Sequence, residues 1–416
     1  MKVLHLNVSD LYGGASRAAY RLHTGLQKIN IDSNMLVQYK QSTDPTVYST
    51  NSVLAGFFPK VWRFIDRIPV FYCLKRIEPM FHAQWVPDFI SNKINELNPD
   101  IIHLHWICGG FVQIETLPKF KKPVVWTLHD MWAFTGGCHY AGNCKKYQES
   151  CGACPQLNSL KEKDLSRKIW RRKLESWQNK SLTIITPSKW LNNCAGKSMI
   201  LKNKTITTIP NGIDISSYQP GNTAAARSEL NLPLDKKLIL FGGMSATDDI
   251  RKGFHYLKAS FEKLHEYIPG EKPELITFGS VGNSSNEMFG FRTHCLGHID
   301  SDLSISKLYS SCDVFVAPSV EDNLPNTVME ALACGTPCVV FNIGGMSDMV
   351  EHKKNGYLAK PFDVNDLAHG ILWVLENKQR LAELSYESRK KVENNFSQFK
   401  IAKQHADLYQ KIKDHN

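Results

Sequence analysis

A chain of 416 residues is too long for one ordinary hydrophobic core and suits two domains. Apolar residues at 42% and charged residues at 22% exclude a disordered chain and leave a globular one. The formal charge of +10 suits an anionic small molecule, a nucleic acid or an anionic membrane surface, and a plain solvated basic surface equally well.

The opening "MKVLHLNVSD" lacks the apolar run of a signal peptide, and no window approaches the ~18 apolar residues of a spanning helix. The expected location is therefore the cytoplasm, where a disulfide framework for the 11 cysteines is not expected. Residues 2–8, "KVLHLNV", predict a short buried strand. A turn at Gly13 and Gly14 then enters a helix with Ala18, Ala19, Leu22 and Leu26 on one side. The stretch Phe57 to Phe81 mixes aromatic with basic residues, as an interfacial helix does; an ordinary helix packing an aromatic face reads the same way.

"DIIHLHW", "PVVWTLHD" and "LTIITPS" predict three further strands, each a nearly continuous apolar run, separated by helical stretches. After "TTIPNGID" the cycle restarts with "KLILFGG", "ELITFGS", "DVFVAPS" and "PCVVFNIGG". The expected fold class is α/β, with two Rossmann-like αβα domains in tandem and a boundary near Pro210. Ligands of such sheets bind beyond the carboxyl ends of the strands. Gly13, Gly14, His129, Ser319 to Asn323, Gly344 and Gly345 fall there, and two domains facing each other across a cleft would bring these ends together.

Four cysteines, Cys138, Cys144, Cys151 and Cys154, are spaced C-x5-C-x6-C-x2-C, with "CGAC" shaped like a metal knuckle. Four thiolates suit one closed tetrahedral zinc, a structural site with no open position for water. Four reduced cysteines in a packed loop are the alternative.

The run "VAPSVEDNLPNTVMEALACGTPCVVFNIGGMSDMV" is the most specific. A strand leads to a helix that Pro325 opens in its first turn and Gly335 closes. Asp322 precedes the helix and Glu330 lies inside it, eight residues on. The N–H groups at a helix start favour an anion, and carboxylates accept hydrogen bonds from sugar hydroxyls. The pattern reads as phosphate plus polyol, although acidic residues near helix starts also serve as caps.

This run resembles the donor-site signature of the retaining GT-B glycosyltransferases of family four, which build bacterial surface polysaccharides of capsule or O-antigen type and glycolipids. The resemblance covers essentially the whole chain. It implies that Asp322 contacts the donor sugar and Glu330 the ribose, with Asn323, Leu324, Pro325 and Asn326 lining the donor site. "LYGGASRAAYRL" is similar to the family's first glycine loop, placing Gly13 and Gly14 near the donor phosphates. "TLHD" puts a sugar-contacting histidine at His129, "IRKGF" a diphosphate-neutralising lysine at Lys252, and "GGMSDMV" the glycine pair at Gly344 and Gly345 with Asp348. The charged tail is similar to the last helix that crosses back, giving domains of 1–209, completed by about 391–416, and 210–390.

One departure matters: the arginine usual after the "FVGR"-like strand end is replaced in "FGGMSATDDIRKG", and Arg251 is the expected substitute. The implied activity is sugar transfer from a nucleoside-diphosphate sugar to a glycan or lipid-linked glycan, with retention. The leaving phosphate would accept the acceptor's proton while His129, Asp322 and Lys252 serve the reacting centre. No cofactor or catalytic metal is expected, because Lys252 and Arg251 carry the phosphate charge and no nucleotide-metal "DxD" pair is present. The acceptor is expected on "HLHWICGGF" (His103 to Phe111) or on the aromatic-basic segment, with peripheral contact at the cytoplasmic face of the inner membrane. The alternatives are a nucleotide-sugar epimerase of the same fold and a zinc-bearing nucleic-acid binder. Scattered basic residues argue against the latter, so no nucleic-acid partner is expected.

Overall fold

The computed structural model describes residues 1–50, 58–72, 80–244, 246–268, 270–279, 287–299 and 301–415. The chain forms two compact units, Met1–Asn211 with Ile401–Asn416, and Gly212–Lys400.

The first unit is built on seven strands: β1 (Lys2–Ser9), β2 (Asp32–Tyr39), β3 (Val47–Ser49), β4 (Ile101–Leu104), β5 (Val124–Thr127), β6 (Leu182–Thr186) and β7 (Thr205–Thr208). Their order is β3-β2-β1-β4-β5-β6-β7, and the pairs are parallel. Apolar side chains on both faces explain the parallel sheet: Leu4, Leu6, Ile102 and Trp126 face one core, while Val3, Ile101, Val125 and Ile185 face another. The register sets His5 opposite His103. The helix Gly14–Lys28 buries Ala18, Ala19, Leu22 and Leu26, the expected face.

The second unit has strands β8 (Leu238–Gly243), β9 (Glu274–Gly279), β10 (Glu287–Met288), β11 (Phe291–Cys295), β12 (Val314–Ala317), β13 (Cys338–Phe341) and β14 (Gly356–Ala359). Their order is β10-β11-β9-β8-β12-β13-β14, antiparallel only at β10–β11. The class is α/β with two Rossmann-like units.

The tail changes units later than about residue 391. The helix Lys378–Asn395 stays with the second unit, burying Leu384 and Val392. Its Arg389 donates to the carbonyls of Tyr218 at 2.6 Å and Ala333 at 2.9 Å. Ile213 N–H donates to Phe396 O, and Gln398 N–H to Ile213 O, before the chain leaves. The helix Gln398–Asp414 then delivers Ile401, Ala402 and Tyr409 to the core around Val3 and Ile101.

The helix Phe58–Phe71 covers part of the aromatic-basic segment; residues 73–79 of it, and Phe57, lie outside the described residues. Asp66 and Val70 are buried, whereas Phe64 is 61% exposed and Phe71 46%. Among the described residues no helix is long and apolar enough to cross a membrane.

Candidate functional site

In the second unit four distant segments converge. A single 3-10 turn, Ile250–Lys252, follows β8 and is capped by Asp249, which accepts from Arg251 N–H at 3.0 Å. Gly253 has φ 71°, and a Cβ there would lie 1.9 Å from Pro318 O. Val320 N–H donates to Arg251 O at 2.8 Å. The turn is thus clamped onto the stretch after β12, and Lys252 Nζ reaches Asp322 Oδ2 at 2.8 Å. From the other side Gly345 N–H donates to Asp322 O at 3.1 Å. A Cβ at Gly344, φ 53°, would lie 2.0 Å from that same oxygen, so only glycine allows the approach.

Asn323 and Leu324 are buried. Pro325 is the N-cap of the helix Asn326–Ala333, one position earlier than its expected place in the first turn, and no side chain caps this helix. Glu330 is buried and accepts from Tyr309 Oη at 3.3 Å. Burial, with Glu330 beside it, pushes the Tyr309 hydroxyl well above its ordinary pKa, so the hydrogen stays on the donor side. Arg251 is held by Asp249, Nε to Oδ1 at 3.1 Å and Nη2 to Oδ2 at 2.5 Å. Its charge is matched locally, so it is not a simple stand-in for the missing arginine.

In the first unit Gly13, φ 95°, precedes the helix that starts at Gly14. Asp10 fixes the neighbouring loops by accepting from the N–H groups of Leu11, Gln41 and Ser42 at 2.8–3.0 Å. His129 follows β5, with Nε2 3.2 Å from His105 Nδ1 and the two rings stacked. His105 Nε2 lies 3.0 Å from His5 Nδ1. His103 sits between Tyr409 Oη at 2.6 Å and Thr127 Oγ1 at 2.7 Å. Burial pulls His129 down to about 4 against the opposing pull of Asp130, and lowers His5, His103 and His105 well below 6.5. These rings are neutral at pH 7.

The stretch "HLHWICGGF" is therefore not an acceptor surface: His103, His105, Ile107, Cys108 and Phe111 are buried. The histidine ladder escaped the sequence reading. Its signal was there, because His103 and His105 alternate on one strand and share a face.

A second buried set lies alongside. His139 Nδ1 is 2.7 Å from Asp130 Oδ2, and its Nε2 is 2.8 Å from His82 Nδ1. Trp106 Nε1–H donates to the same Asp130 oxygen at 3.1 Å. Burial would raise the Asp130 carboxyl, but His139 and the Trp132 N–H outweigh it and hold it below the usual range. Among the described residues, two groups bring ligand atoms within 4.8 Å of one another: His5, His103 and His105, and His82, Cys108 and His139.

The four spaced cysteines are not a third such group, but they line one cavity of about 20 Å³ with Phe81, Thr135, Ala141 and Tyr147. All four are free thiols. Burial pushes Cys151 up to about 12 and raises Cys138 and Cys154. The loop is tied at many points: Cys154 N–H donates to Asp164 Oδ2 at 2.8 Å, and Arg167 to Cys151 O. Beneath it, buried Lys173 donates to the carbonyls of Trp132 and Thr135 and sits 3.5 Å over the Trp132 ring; burial lowers it to about 7. The donor set fits zinc chemically and the four residues line a common void, but no three of them bring their sulfurs within 4.8 Å of one another.

Comparison with known proteins agrees with the fold. Residues 12–217 match Glycosyltransferase Family 4, and residues 222–391 match Glycosyl transferases group 1. An uncharacterized glycosyltransferase of Methanocaldococcus jannaschii is 25% identical over 355 residues, covering 80% of this chain and 83% of that protein. The UDP-Gal:alpha-D-GlcNAc-diphosphoundecaprenol alpha-1,3-galactosyltransferase of Escherichia coli is 22% identical over 98% of this chain and 96% of its own. Among solved structures, sucrose-phosphate synthase from Thermosynechococcus elongatus superposes with a TM-score of 0.70 at 20% identity, over 100% of both chains. Anabaena HepE in complex with UDP-glucose gives 0.66 at 16%, covering 99% of this chain and 100% of that one.

Proposed function

The chain belongs to the GT-B glycosyltransferases, its two family matches running over residues 12–217 and 222–391, and from that premise we propose that it moves a sugar from a nucleoside-diphosphate sugar to a glycan or lipid-linked glycan with retention of configuration. The observation that carries this is the Lys252–Asp322 pair, clamped by Gly253 on one side and by Gly344 and Gly345 on the other. The Escherichia coli relative, whose name gives a UDP-sugar donor and a diphosphoundecaprenol-linked acceptor, supports the substrate class. The comparisons do not favour the epimerase or nucleic-acid readings.

The reaction separates a sugar with oxocarbenium character from a diphosphate gaining negative charge. Preorganised positive groups at that diphosphate supply the largest share of stabilisation. Lys252 is the cation for this work, and at rest it holds Asp322. A diphosphate exchanges one anion for another at Lys252 and leaves Asp322 to accept from the sugar hydroxyls. Glu330, oriented by Tyr309, accepts from the ribose hydroxyls. Arg251 joins the diphosphate only by giving up Asp249. Asn323, Leu324, Pro325 and Asn326 shape the site, and the N–H groups at that helix start complete the anion contacts. In the first unit Gly13 and Gly14 present backbone N–H groups. Neutral His129 orients and polarises the sugar instead of removing a proton. The leaving phosphate takes the acceptor's proton, and no divalent cation is needed where lysine meets the phosphate charge.

Cys138, Cys144, Cys151 and Cys154 are proposed to hold one structural zinc, on the strength of their shared cavity. The exposed Phe64 and Phe71 are proposed to give peripheral contact with the cytoplasmic face of a membrane.

The test is thermal shift with UDP, GDP and an oligonucleotide, followed by hydrolysis of a panel of sugar nucleotides. A nucleotide at about 100 times its Kd adds ~2.7 kcal/mol, a shift of several degrees. Stabilisation by a nucleotide but not by the oligonucleotide, with Lys252→Ala abolishing it, is expected. An oligonucleotide shift with no nucleotide shift would end this reading.

A further inference from the structure

We propose that His105 and His5 are positioning residues that set which nitrogen of His129 carries its hydrogen, through a line of three imidazoles of which His5 and His105 are buried; this rests on the role given to His129 above.

The geometry is two ring-to-ring hydrogen bonds in series, His129 Nε2 to His105 Nδ1 at 3.2 Å and His105 Nε2 to His5 Nδ1 at 3.0 Å. A neutral imidazole has one N–H and one lone pair. Each link needs one of each, so all three rings must point their hydrogens the same way. Fixing the tautomer at one end therefore fixes it at the other.

The far end decides the direction. His5 Nε2 is buried and has no hydrogen-bond partner. If the hydrogens ran away from His129, His5 would bury an N–H with nothing to accept it. If they run towards His129, the stranded atom is a lone pair. Orphaned buried N–H groups are rarer than under-used acceptors, so the second direction holds. His5 then donates from Nδ1 to His105, and His105 donates from Nδ1 to His129 Nε2. His129 then carries its hydrogen on Nδ1, so that atom is a donor and cannot take a proton.

A metal is the competing occupant, since His5, His103 and His105 can bring ligand atoms within 4.8 Å. The hydrogen bonds favour the relay. Both nitrogens of His105 are engaged by rings, and both of His103 by Tyr409 and Thr127. A metal would have to break a bond at each.

The experiment reads the imidazole nitrogens of isotope-labelled full-length protein by NMR, in the wild type, His105→Asn and His105→Leu. Asparagine keeps a hydrogen-bonding atom near the Nδ1 position, whereas leucine keeps only bulk. The expected result is Nδ1–H tautomers for His5, His105 and His129 in the wild type, retained at His129 by asparagine and lost to a mixture with leucine. In UDP-glucose turnover, leucine should lower kcat between about tenfold and a hundredfold with KM within about twofold, and asparagine should restore most of it. A packing role predicts the opposite order, because leucine suits a buried site better than asparagine. An Nε2–H tautomer at His129 in the wild type, the same tautomer in both variants, or one metal per chain bound by these histidines would overturn the proposal. If the tautomers are as expected but no sugar nucleotide is turned over, the relay stands and the transferase reading fails.

Discussion

Asp249 decides how much positive charge the proposed donor site can offer. Its carboxylate grips Arg251 through two hydrogen bonds and also caps the turn. Asparagine preserves the cap and removes the charge, so Asp249→Asn should tighten UDP binding, by about fivefold at most for a partly exposed pair. Calorimetric titration checks this; unchanged affinity would remove Arg251 from the diphosphate site. Glycine positions can be ranked by what a methyl group would strike. Gly253→Ala places Cβ 1.9 Å from Pro318 O and Gly344→Ala 2.0 Å from Asp322 O, whereas Gly13→Ala meets nothing within 4 Å. The first two should cost more than the ~1–3 kcal/mol of strained backbone and abolish the UDP-induced shift, and Gly13→Ala should cost only the strain. Urea denaturation of the three variants tests the order. The candidates Asp322, Glu330 and Lys252 were named from the sequence because each sits in a short contiguous run that resembles a family signature. The Arg251–Asp249 grip was not, because pairing two residues apart depends on the turn's geometry.

At the scale of elements, the loop between β5 and the helix Leu165–Trp177 has almost no regular structure and is held by side chains. Gly152, φ 148°, would bring a Cβ to 2.3 Å from Glu162 O, so "CGAC" turns where it does because nothing larger fits. A zinc drawn into the shared cavity would pull four sulfurs onto one point. Protein purified without chelator should then carry about one zinc per chain, and Cys151→Ser should lose it along with several kcal/mol of stability. A metal content near zero with all four thiols titrating would leave a packed, metal-free loop. The tail helix is the other decisive element. Deleting residues 401–416 uncovers Val3, Ile101 and Val125 and removes the Tyr409 partner of His103. Each large apolar side chain lost from such a core costs ~2–4 kcal/mol, so the first unit should unfold at markedly lower urea while the second keeps its transition. Strands such as β5, β8 and β13 were readable as nearly continuous apolar runs. β7, "TITT", and β3, "VYS", were not: short edge strands need no such run, and they pair because the neighbouring strand is already in place.

Across the whole molecule, the buried histidines couple folding to acid. Burial draws His405 down to about 4, and draws His23 to about 4 as well despite the nearby Asp44. Above the ordinary value of 6.5 both folded and unfolded states are neutral. As pH falls from 6.5 to about 4, the unfolded chain takes protons that the folded chain refuses. Stability therefore falls across that window, by about 1.4 kcal/mol per pH unit for each such group, and levels off below it. Urea midpoints should drop between pH 7 and pH 5; a flat profile there would show that these rings titrate normally in the fold. The division into two Rossmann-like units was readable from the restart of the strand-and-glycine cycle. The place where the tail changes unit was not, because helical periodicity runs on through both tail helices and only packing separates them.

The tail has a consequence in time. Residues 401–416 belong to the first unit, yet they are made only after the whole of the second. At roughly 5–20 residues per second, the first 211 residues wait some 10–40 s for the helix that covers Val3 and Ile101. The second unit, contiguous from Gly212 to Lys400, can close before the first is complete. A released chain that ends after residue 400 should thus show a protease-resistant second unit beside a susceptible first, so that the half made earlier is the one left waiting.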